Sequence, residues 1–402
     1  MEKLNWNYQL IDVFTSLEKD NNIFYLDDVT SGGWSYIVIL ENPLKGNPWE
    51  IMDINESKKI IKSDIPFSGG LVGWLPYSIN SSENWDNPKK HPWDHDFHLF
   101  EAKYILCFHK SYGWWTTEVN RFKDIKVLKK KKNTPIGYLE STINFEQYSK
   151  ELNLIKNKIF NGEMYEANFT FKLFGKIKNP LDLYLKFRNF CQTDLCSYLK
   201  YEDFVIGSGS PELFLSCEND IFFSEPMKGT TTKKATSLIE NPKERSELSI
   251  IVDLVRNDFY KCCYFESVSV SDSSLVKEYP TIKQAVAKIY GKKKKSLKKW
   301  EMIKSLFPSG SVTGAPRSTV IRHLDEREKH ARGVYCGAMG WWSYGGNYKL
   351  SLPIRTFVSS GEDLEYCVGS GVTWRSNPQH EWLECKEKAK CIEKSLSEGI
   401  FW

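Results

Sequence analysis

One lysine and several acidic residues in this sequence have the types and spacing that a reactive site needs. Lys228 lies in the short run Pro226-Met-Lys-Gly-Thr230, and a lone acid, Glu212, precedes it. Four further glutamates form two pairs with a spacing of three residues: Glu244 with Glu247, and Glu381 with Glu384. An amine can act as a nucleophile, an acid can donate a proton, and paired carboxylates can bind a hard cation. Together they indicate a candidate catalytic site.

The lysine makes a definite physical demand. A free lysine with a pKa near 10.4 is neutral only about one part in a thousand at pH 7.4. To react as a nucleophile, Lys228 must be buried or lie near another cation. The alternative is a surface lysine that forms an ion pair.

The paired glutamates fall in two predicted helices. Leu248, Ile251, Val252 and Val255 have helical periodicity after Glu244 and Glu247, and residues three apart share a helix face. A second helical stretch near residues 379–397 places Glu381, Glu384 and Lys388 on one face. Four carboxylates on two helices suit Mg²⁺, which keeps waters or substrate oxygens beside a few protein carboxylates. Spacing alone also fits two solvated helix faces.

Composition excludes several classes of protein. The chain has 402 residues, of which 41% are hydrophobic, so it is long enough for two or three domains and is not of disordered composition. A net charge of +4 requires neither nucleic acid nor a membrane surface. The start of the chain lacks the apolar stretch of a signal peptide, and no segment approaches the roughly 18 apolar residues of a membrane span. Ten cysteines without a CxxC pattern indicate reduced thiols and a cytoplasmic protein.

The predicted secondary structure changes along the chain. Residues 1–130 read as strand-rich, with apolar runs at 34–40 and 104–108, and a glycine-punctuated stretch at 66–77 where backbone must approach a neighbour closely. After a charged segment at 129–135, residues 140–402 mix helices and strands. A helical stripe runs from Tyr148 to Ile159, and Tyr165 to Leu173 alternate as a half-buried strand. The pattern predicts an α+β (mixed α/β) fold in which the first region wraps onto the second.

Two other motifs carry less weight. His91, His95 and His98 have spacings that a zinc site could use, but Pro92 and the polar surroundings favour an exposed loop. The run Gly207-Ser-Gly-Ser lacks the lysine-serine ending of a phosphate loop.

Several ordered segments resemble the chorismate-utilising enzymes over nearly the whole chain. The segments lie at residues 210–215, 226–230, 251–258, 307–317, 332–340, 354–356, 368–372 and 381–384. The resemblance implies large packed antiparallel sheets flanked by helices, with the active site enclosed. Anthranilate and isochorismate synthases of this family typically carry alanine at the position of Lys228. With a lysine at this position, the sequence resembles the branch of the family that aminates chorismate at C4 for folate synthesis.

The resemblance also implies a role for each candidate residue. Lys228 would add to C2 of chorismate, with Glu212 as the general acid for the departing C4 hydroxyl. Glu247 and Glu384 would hold Mg²⁺ at one substrate carboxylate, assisted by Glu244 and Glu381 through water. The remaining expected substrate-binding residues are Thr230, Ser311, Thr313, Tyr335, Arg355, Gly369, Gly371 and Lys388.

Some positions depart from the family pattern. Gln284 stands where the family usually has a histidine, which disfavours reactions that need that histidine, including pyruvate elimination to anthranilate. Glu166 stands where ammonia-using members usually have glutamine and water-using members lysine, which disfavours hydration to isochorismate.

We expect ammonia to come from a glutamine amidotransferase subunit, because nothing in the chain resembles a glutaminase triad. Two alternatives stay open: anthranilate synthase component I or another activity of the family, and a weakly catalytic scaffold for the amidotransferase. Convergence of Lys228, Glu212 and the four glutamates on one cavity would separate the enzymes from the scaffold.

Overall fold

The periodic patterns of the sequence become helices and strands in the computed structural model. It describes residues 1–28, 32–59, 63–80, 98–129, 133–232, 242–278 and 282–402, without the side chains of 229–232, 242–247, 272–275, 278, 282 and 283. The α-helices in these ranges are α1 Leu10–Glu18, α2 Pro48–Ser57, α3 Val119–Phe122, α4 Phe145–Phe160, α5 Pro180–Cys191, α6 Pro242–Cys262, α7 Lys299–Leu306, α8 Arg317–Arg327 and α9 Pro378–Glu393. None of the helices in the described ranges combines the length and the apolar character needed to cross a bilayer.

The strands are numbered in chain order. They are β1 Glu2–Leu4, β2 Ile23–Asp27, β3 Ser35–Ile39, β4 Gly70–Leu75, β5 Leu99–Ala102, β6 Tyr104–His109, β7 Gly113–Thr116, β8 Gly137–Ser141, β9 Glu166–Ile177, β10 Cys196–Tyr201 and β11 Phe204–Ser208. They continue with β12 Leu213–Glu218, β13 Ile221–Glu225, β14 Met227–Thr232, β15 Ser269–Glu278, β16 Ile282–Lys292, β17 Gly314–Ala315, β18 Ala338–Ser343, β19 Tyr348–Ser351, β20 Thr356–Ser360, β21 Asp363–Thr373 and β22 Ile400–Phe401.

Two large sheets organise the described chain. The first has the strand order β1-β7-β6-β3-β2-β10-β11-β20-β21-β9-β8-β22, with β17 also paired to β9. The second has the order β14-β16-β13-β12-β19-β18-β4-β5, with β15 also paired to β16. The pairing is antiparallel, except that β8 and β22 are parallel. Strands from residues 1–130 enter both sheets, so the two predicted regions share them.

Apolar side chains from the two sheets pack against each other and against the helices. Phe24 and Tyr36 of the first sheet share one buried cluster with Trp74 and Met339 of the second. The alternate residues of the same strands, such as Tyr25, join a second cluster with helices α4, α5 and α9. A third cluster unites the second sheet with α6 and α7. This is the predicted mixed fold of packed antiparallel sheets flanked by helices.

Most of the local predictions are confirmed. The stripe from Tyr148 becomes helix α4, and the glutamate-bearing segments become α6 and α9. Two details differ. Tyr165 precedes strand β9 and is exposed, since the strand enters the sheet only at Glu166. Helix α9 ends at Glu393, so Leu396 is buried by the turn that follows the helix.

The glycine-punctuated stretch at 66–77 becomes β4 and does approach its neighbours closely. Gly73 has φ +146°, and a Cβ placed on it would lie 2.0 Å from the carbonyl oxygen of His98. Gly70, with φ +136°, would meet the carbonyl oxygen of Trp342 at 2.1 Å. A side chain at either position would therefore collide with the backbone of an adjacent strand.

This close approach predicts that Gly73→Ala lowers the thermal unfolding midpoint more than Gly113→Ala does. Gly113 also has a positive φ, +77°, but nothing lies within 4 Å of the added Cβ. Its alanine variant therefore carries only the backbone cost of about 1 kcal/mol. Differential scanning fluorimetry of the two variants measures the difference, and equal shifts would contradict the packing described for β4.

Candidate active site

A cavity forms where β14 of the second sheet approaches β9 and β21 of the first sheet and helix α9. Asn168 from β9 and Gln284 from β16 lie in its wall. The wall also contains ten of the residues predicted from the sequence: Glu212, Lys228, Ser311, Tyr335, Arg355, Gly369, Gly371, Glu381, Glu384 and Lys388. Both predicted catalytic residues and two of the four predicted metal-binding glutamates thus face one space.

Lys228 enters the cavity from an irregular part of the second sheet. In the β14–β16 ladder it pairs with Ala285, and the register shifts before Thr230 pairs with Gln284. Such a bulge changes the direction of neighbouring side chains. The Nζ of Lys228 donates a hydrogen bond of 2.7 Å to Oε1 of Glu166, the first residue of β9. The contact therefore joins the two sheets.

Gly371 lies directly against this ion pair. A Cβ placed on Gly371 would lie 2.9 Å from Oε1 of Glu166 and 3.2 Å from Nζ of Lys228. Gly371 belongs to β21, which pairs with β9 in an unbroken register from Asp363 to Thr373. The absence of a side chain at 371 leaves space for the paired charges.

Glu212 is a buried acid on the same wall. Its carbonyl oxygen accepts a hydrogen bond from the backbone N–H of Leu352, and the Ser311 hydroxyl donates to its Oε1 at 2.8 Å. Burial raises the pKa of the Glu212 carboxyl to about 7, while the Ser311 hydrogen bond and the Lys228 charge oppose the increase. A carboxyl group with this pKa carries a proton in part of the molecules at neutral pH, so it can act as an acid.

Arg355 and Tyr335, two of the predicted substrate-binding residues, lie in another part of the wall. Arg355 has φ +49°, a left-handed conformation that costs a non-glycine residue roughly 1 kcal/mol. Its carbonyl oxygen accepts a hydrogen bond of 2.9 Å from Gly209, which fixes the backbone there. Burial raises the pKa of Tyr335 well above its ordinary value, so its hydroxyl stays a neutral donor. A guanidinium and a hydroxyl suit a carboxylate ligand.

Lys388 adds a second cation. Its Nζ lies 2.8 Å from Oε1 of Glu384 and donates to the carbonyl oxygen of Gly369 at 2.8 Å. Burial lowers the pKa of Lys388, but the adjacent Glu384 carboxylate more than offsets this, so the pKa lies above its ordinary value. The lysine is therefore charged at neutral pH.

The candidate metal ligands are described only in part. Glu381 is buried and Glu384 is exposed on the first turns of α9, and both line the cavity. Glu244 and Glu247 belong to α6, which packs against β14, but their side chains are outside the described residues. Among the described side chains, no three of His, Cys, Asp and Glu come together as a metal site. Two carboxylates beside the cavity have the donor chemistry that Mg²⁺ takes, so Mg²⁺ remains a proposal.

The remaining predicted substrate-binding residues are Thr313 and Thr230. Thr313 is buried and is not part of the cavity wall, and its hydroxyl donates to the Ser309 carbonyl oxygen at 2.8 Å. The carbonyl oxygen of Thr313 accepts from the backbone N–H of Asn168 at 2.8 Å, which holds this loop on β9. Thr230 lies on β14, but its side chain is outside the described residues. His91 and His95 are also outside them.

Sequence reasoning missed the network that holds this wall together. Arg332 is fully buried and donates to both carboxylate oxygens of Glu328, at 2.7 and 2.9 Å. It also donates to the carbonyl oxygens of Val312 and Asn168, at 2.6 and 2.8 Å. The spacing of four residues between Glu328 and Arg332 is the signal that could have identified the pair, although their long-range contacts depend on the fold.

A family model described as chorismate binding enzyme matches residues 23–394. The chain belongs to this family. It is 27% identical over 368 residues to aminodeoxychorismate synthase component 1 of Bacillus subtilis, which covers 82% of this chain and 77% of the relative. It is 26% identical over 372 residues to an anthranilate synthase component I-like protein of Synechocystis, which covers 87% of this chain and 76% of the relative.

A solved structure agrees with the fold. Anthranilate synthase component I from Streptococcus pneumoniae superposes with a TM-score of 0.79 at 23% identity, over 92% of this chain and 90% of that one. The comparisons establish that the chain is a chorismate binding enzyme. Relatives named for two different activities are identical to it to a similar extent, 27% and 26%.

The pKa of Glu212 makes a prediction that needs no substrate. Because burial favours its protonated form, the native protein binds more protons than the unfolded chain between the ordinary carboxyl pKa and about 7. The contribution of this group to stability therefore falls as pH rises through that window. Glu212→Gln stays neutral, so its unfolding midpoint relative to wild type should be higher at about pH 8 than at about pH 5.

The exposed Glu218, at the far end of β12, supplies the control variant Glu218→Gln. Thermal unfolding of wild type and both variants at the two pH values measures the effect. A Glu212→Gln difference that is the same at both values would show that the carboxyl is not held protonated.

Proposed function

We propose that this chain is component I of aminodeoxychorismate synthase, which replaces the C4 hydroxyl of chorismate with ammonia to give 4-amino-4-deoxychorismate, the precursor of 4-aminobenzoate in folate biosynthesis. One observation carries the proposal: the Lys228 amine and a Glu212 carboxyl with a pKa of about 7 line the same cavity. A nucleophile and a protonated acid are the two groups that a covalent displacement of a hydroxyl requires.

The proposed reaction has two displacements. The Nζ lone pair of Lys228 forms a bond to C2, the two conjugated ring double bonds each shift by one position toward C4, and the C4–O bond breaks as Glu212 gives its proton to the departing hydroxyl. Ammonia then forms a bond to C4, the two ring double bonds shift back, and the C2–N bond breaks with its electron pair going back to Lys228. The proton that the new amino group loses restores Glu212, so chorismate and ammonia give the product and water.

Chorismate is a dianion, and the wall of the cavity offers cations for it. Arg355 with Tyr335 and the backbone near Gly369 and Gly371 would bind one carboxylate, with Lys388 close by. Glycines let backbone N–H groups approach a ligand closely. Ser311 would keep Glu212 in place through its hydrogen bond of 2.8 Å.

Mg²⁺ is the proposed cofactor. Glu384 and Glu381 line the cavity, and Glu247 and Glu244 would complete the set from α6. When bound, Mg²⁺ would neutralise the charge of the second substrate carboxylate. Glu384 is the residue that would exchange its ion pair with Lys388 for the metal.

Ammonia is proposed to come from a glutamine amidotransferase subunit, in a cytoplasmic complex. Anthranilate formation by the same cavity has less support, because Gln284 lines it where the family usually has a histidine. Glutamine is neither an acid nor a base near neutral pH. A scaffold without catalysis has less support because Lys228, Glu212, Glu381 and Glu384 share one cavity.

The covalent step predicts the behaviour of Lys228→Ala. With chorismate and Mg²⁺ but no ammonium salt, wild type should form an adduct whose mass exceeds the protein by one chorismate less water, located on Lys228. The variant should form none, and its amination rate with ammonium should fall by at least about a hundredfold because the nucleophile is lost. Intact-protein and peptide mass spectrometry measure the adduct.

Lys172→Ala is the matched control. Lys172 is 12% exposed against 13% for Lys228, and it also forms an ion pair of 2.7 Å, with Glu365. This control should keep adduct formation and amination, which shows that loss of a buried lysine is not itself the cause. Full amination by Lys228→Ala would exclude the covalent role.

A further inference from the structure

The ion pair between Lys228 and Glu166 conflicts with the proposed role of Lys228 as a nucleophile. Their side chains are only 13% and 2% exposed, and Nζ lies 2.7 Å from Oε1. The second oxygen, Oε2, is buried without a hydrogen-bond partner among the described residues. An opposite charge at this distance favours the ammonium form of a lysine. An ammonium ion has no lone pair with which to attack carbon.

Other charged groups lie near the pair. The charges of Lys228 and Glu212 interact, as do those of Lys228 and Lys388. Lys388 is itself compensated by Glu384 at 2.8 Å. Gln284, across the β14–β16 ladder, is uncharged. The charged side chains in the described wall of the cavity, besides Lys228, are Glu212, Arg355, Glu381, Glu384 and Lys388.

The backbone gives Glu166 little freedom to move away. Glu166 pairs with Thr373 of β21 on one side and with Ala315 of β17 on the other. The backbone of Gly371 in β21 lies close beside Oε1. Lys228 is attached through a long side chain next to a bulge, so it is the partner that can leave the contact.

We propose that Glu166 is a positioning residue for Lys228: it holds the lysine at the wall of the cavity as an ammonium ion, and this ion pair must be neutralised before the lysine can react. The proton passes from Nζ to Oε1 along the hydrogen bond between them, which leaves a neutral amine and a neutral carboxylic acid. The amine then swings to the substrate, and the proton returns when the lysine is expelled. The substrate end of this inference rests on the proposed function.

The test measures the reactivity of Lys228 without any substrate. Cyanate carbamylates neutral amines, so its rate at each lysine, followed by peptide mass spectrometry, reports how much of that lysine is neutral. In Glu166→Gln the amide no longer stabilises the ammonium ion, so Lys228 should be carbamylated about tenfold faster at neutral pH. Glu166→Asp keeps the negative charge, and its Lys228 should remain slow.

The pair Lys172–Glu365 provides the matched control, because it has the same 2.7 Å distance and similar burial. It also joins β9 to β21, away from the cavity wall. Glu365→Gln should accelerate carbamylation of Lys172 and leave Lys228 unchanged. In Glu166→Gln, an unchanged rate at Lys172 shows that the protein is folded.

Carbamylation of Lys228 in Glu166→Gln at the wild-type rate or slower would overturn the inference. With chorismate, adduct formation should reach half its limiting rate at a lower pH in Glu166→Gln than in wild type. Absence of any chorismate adduct in wild type would count against the proposed function, while the cyanate result would still decide the role of Glu166.

Discussion

Two opposite charges placed away from water, on Lys228 and Glu166, connect the two sheets at the cavity. Burial of an ion pair is costly unless the geometry is close, and here Nζ and Oε1 are 2.7 Å apart. The surrounding structure meets this requirement in specific ways. The β9–β21 ladder fixes Glu166, the bulge in β14 directs Lys228, and Gly371 leaves the space that both need. The position of the pair sets where the Lys228 amine lies relative to the groups in the cavity wall.

Two buried carboxyl groups near the cavity, those of Glu166 and Glu212, have contrasting environments. Glu166 contacts a cation directly, whereas Glu212 accepts a hydrogen bond from the Ser311 hydroxyl and has a pKa of about 7. Environments that differ in this way let neighbouring carboxyl groups take separate roles in one reaction. In the account proposed here, Glu212 gives a proton to the departing hydroxyl and Glu166 receives one from the lysine.

Individual helices and strands could largely be predicted from local patterns, whereas the packed antiparallel sheets were implied by the family resemblance. Stripes with a period of 3.6 become α4, α6 and α9, and the glycine-punctuated stretch becomes β4, because these features depend on neighbours in sequence. The candidate site could be predicted as a set of residues only through the family resemblance. Its contacts could not, because Glu166 and Lys228 are far apart in the chain and meet only when the two sheets pack. The resemblance also had a limit at Thr313. This residue lies in a segment that matches the family, but it supports its own loop through a hydrogen bond and does not line the cavity.

The direct test of the proposed function is the identity of the product. The purified chain is incubated with chorismate, Mg²⁺ and an ammonium salt at mildly alkaline pH, and the small molecules are analysed by mass spectrometry. We predict a product that keeps the enolpyruvyl group and replaces one hydroxyl with an amine. Formation of anthranilate would contradict the proposal and assign the chain to the sister activity. No turnover, even with an amidotransferase subunit and glutamine, would contradict catalysis altogether.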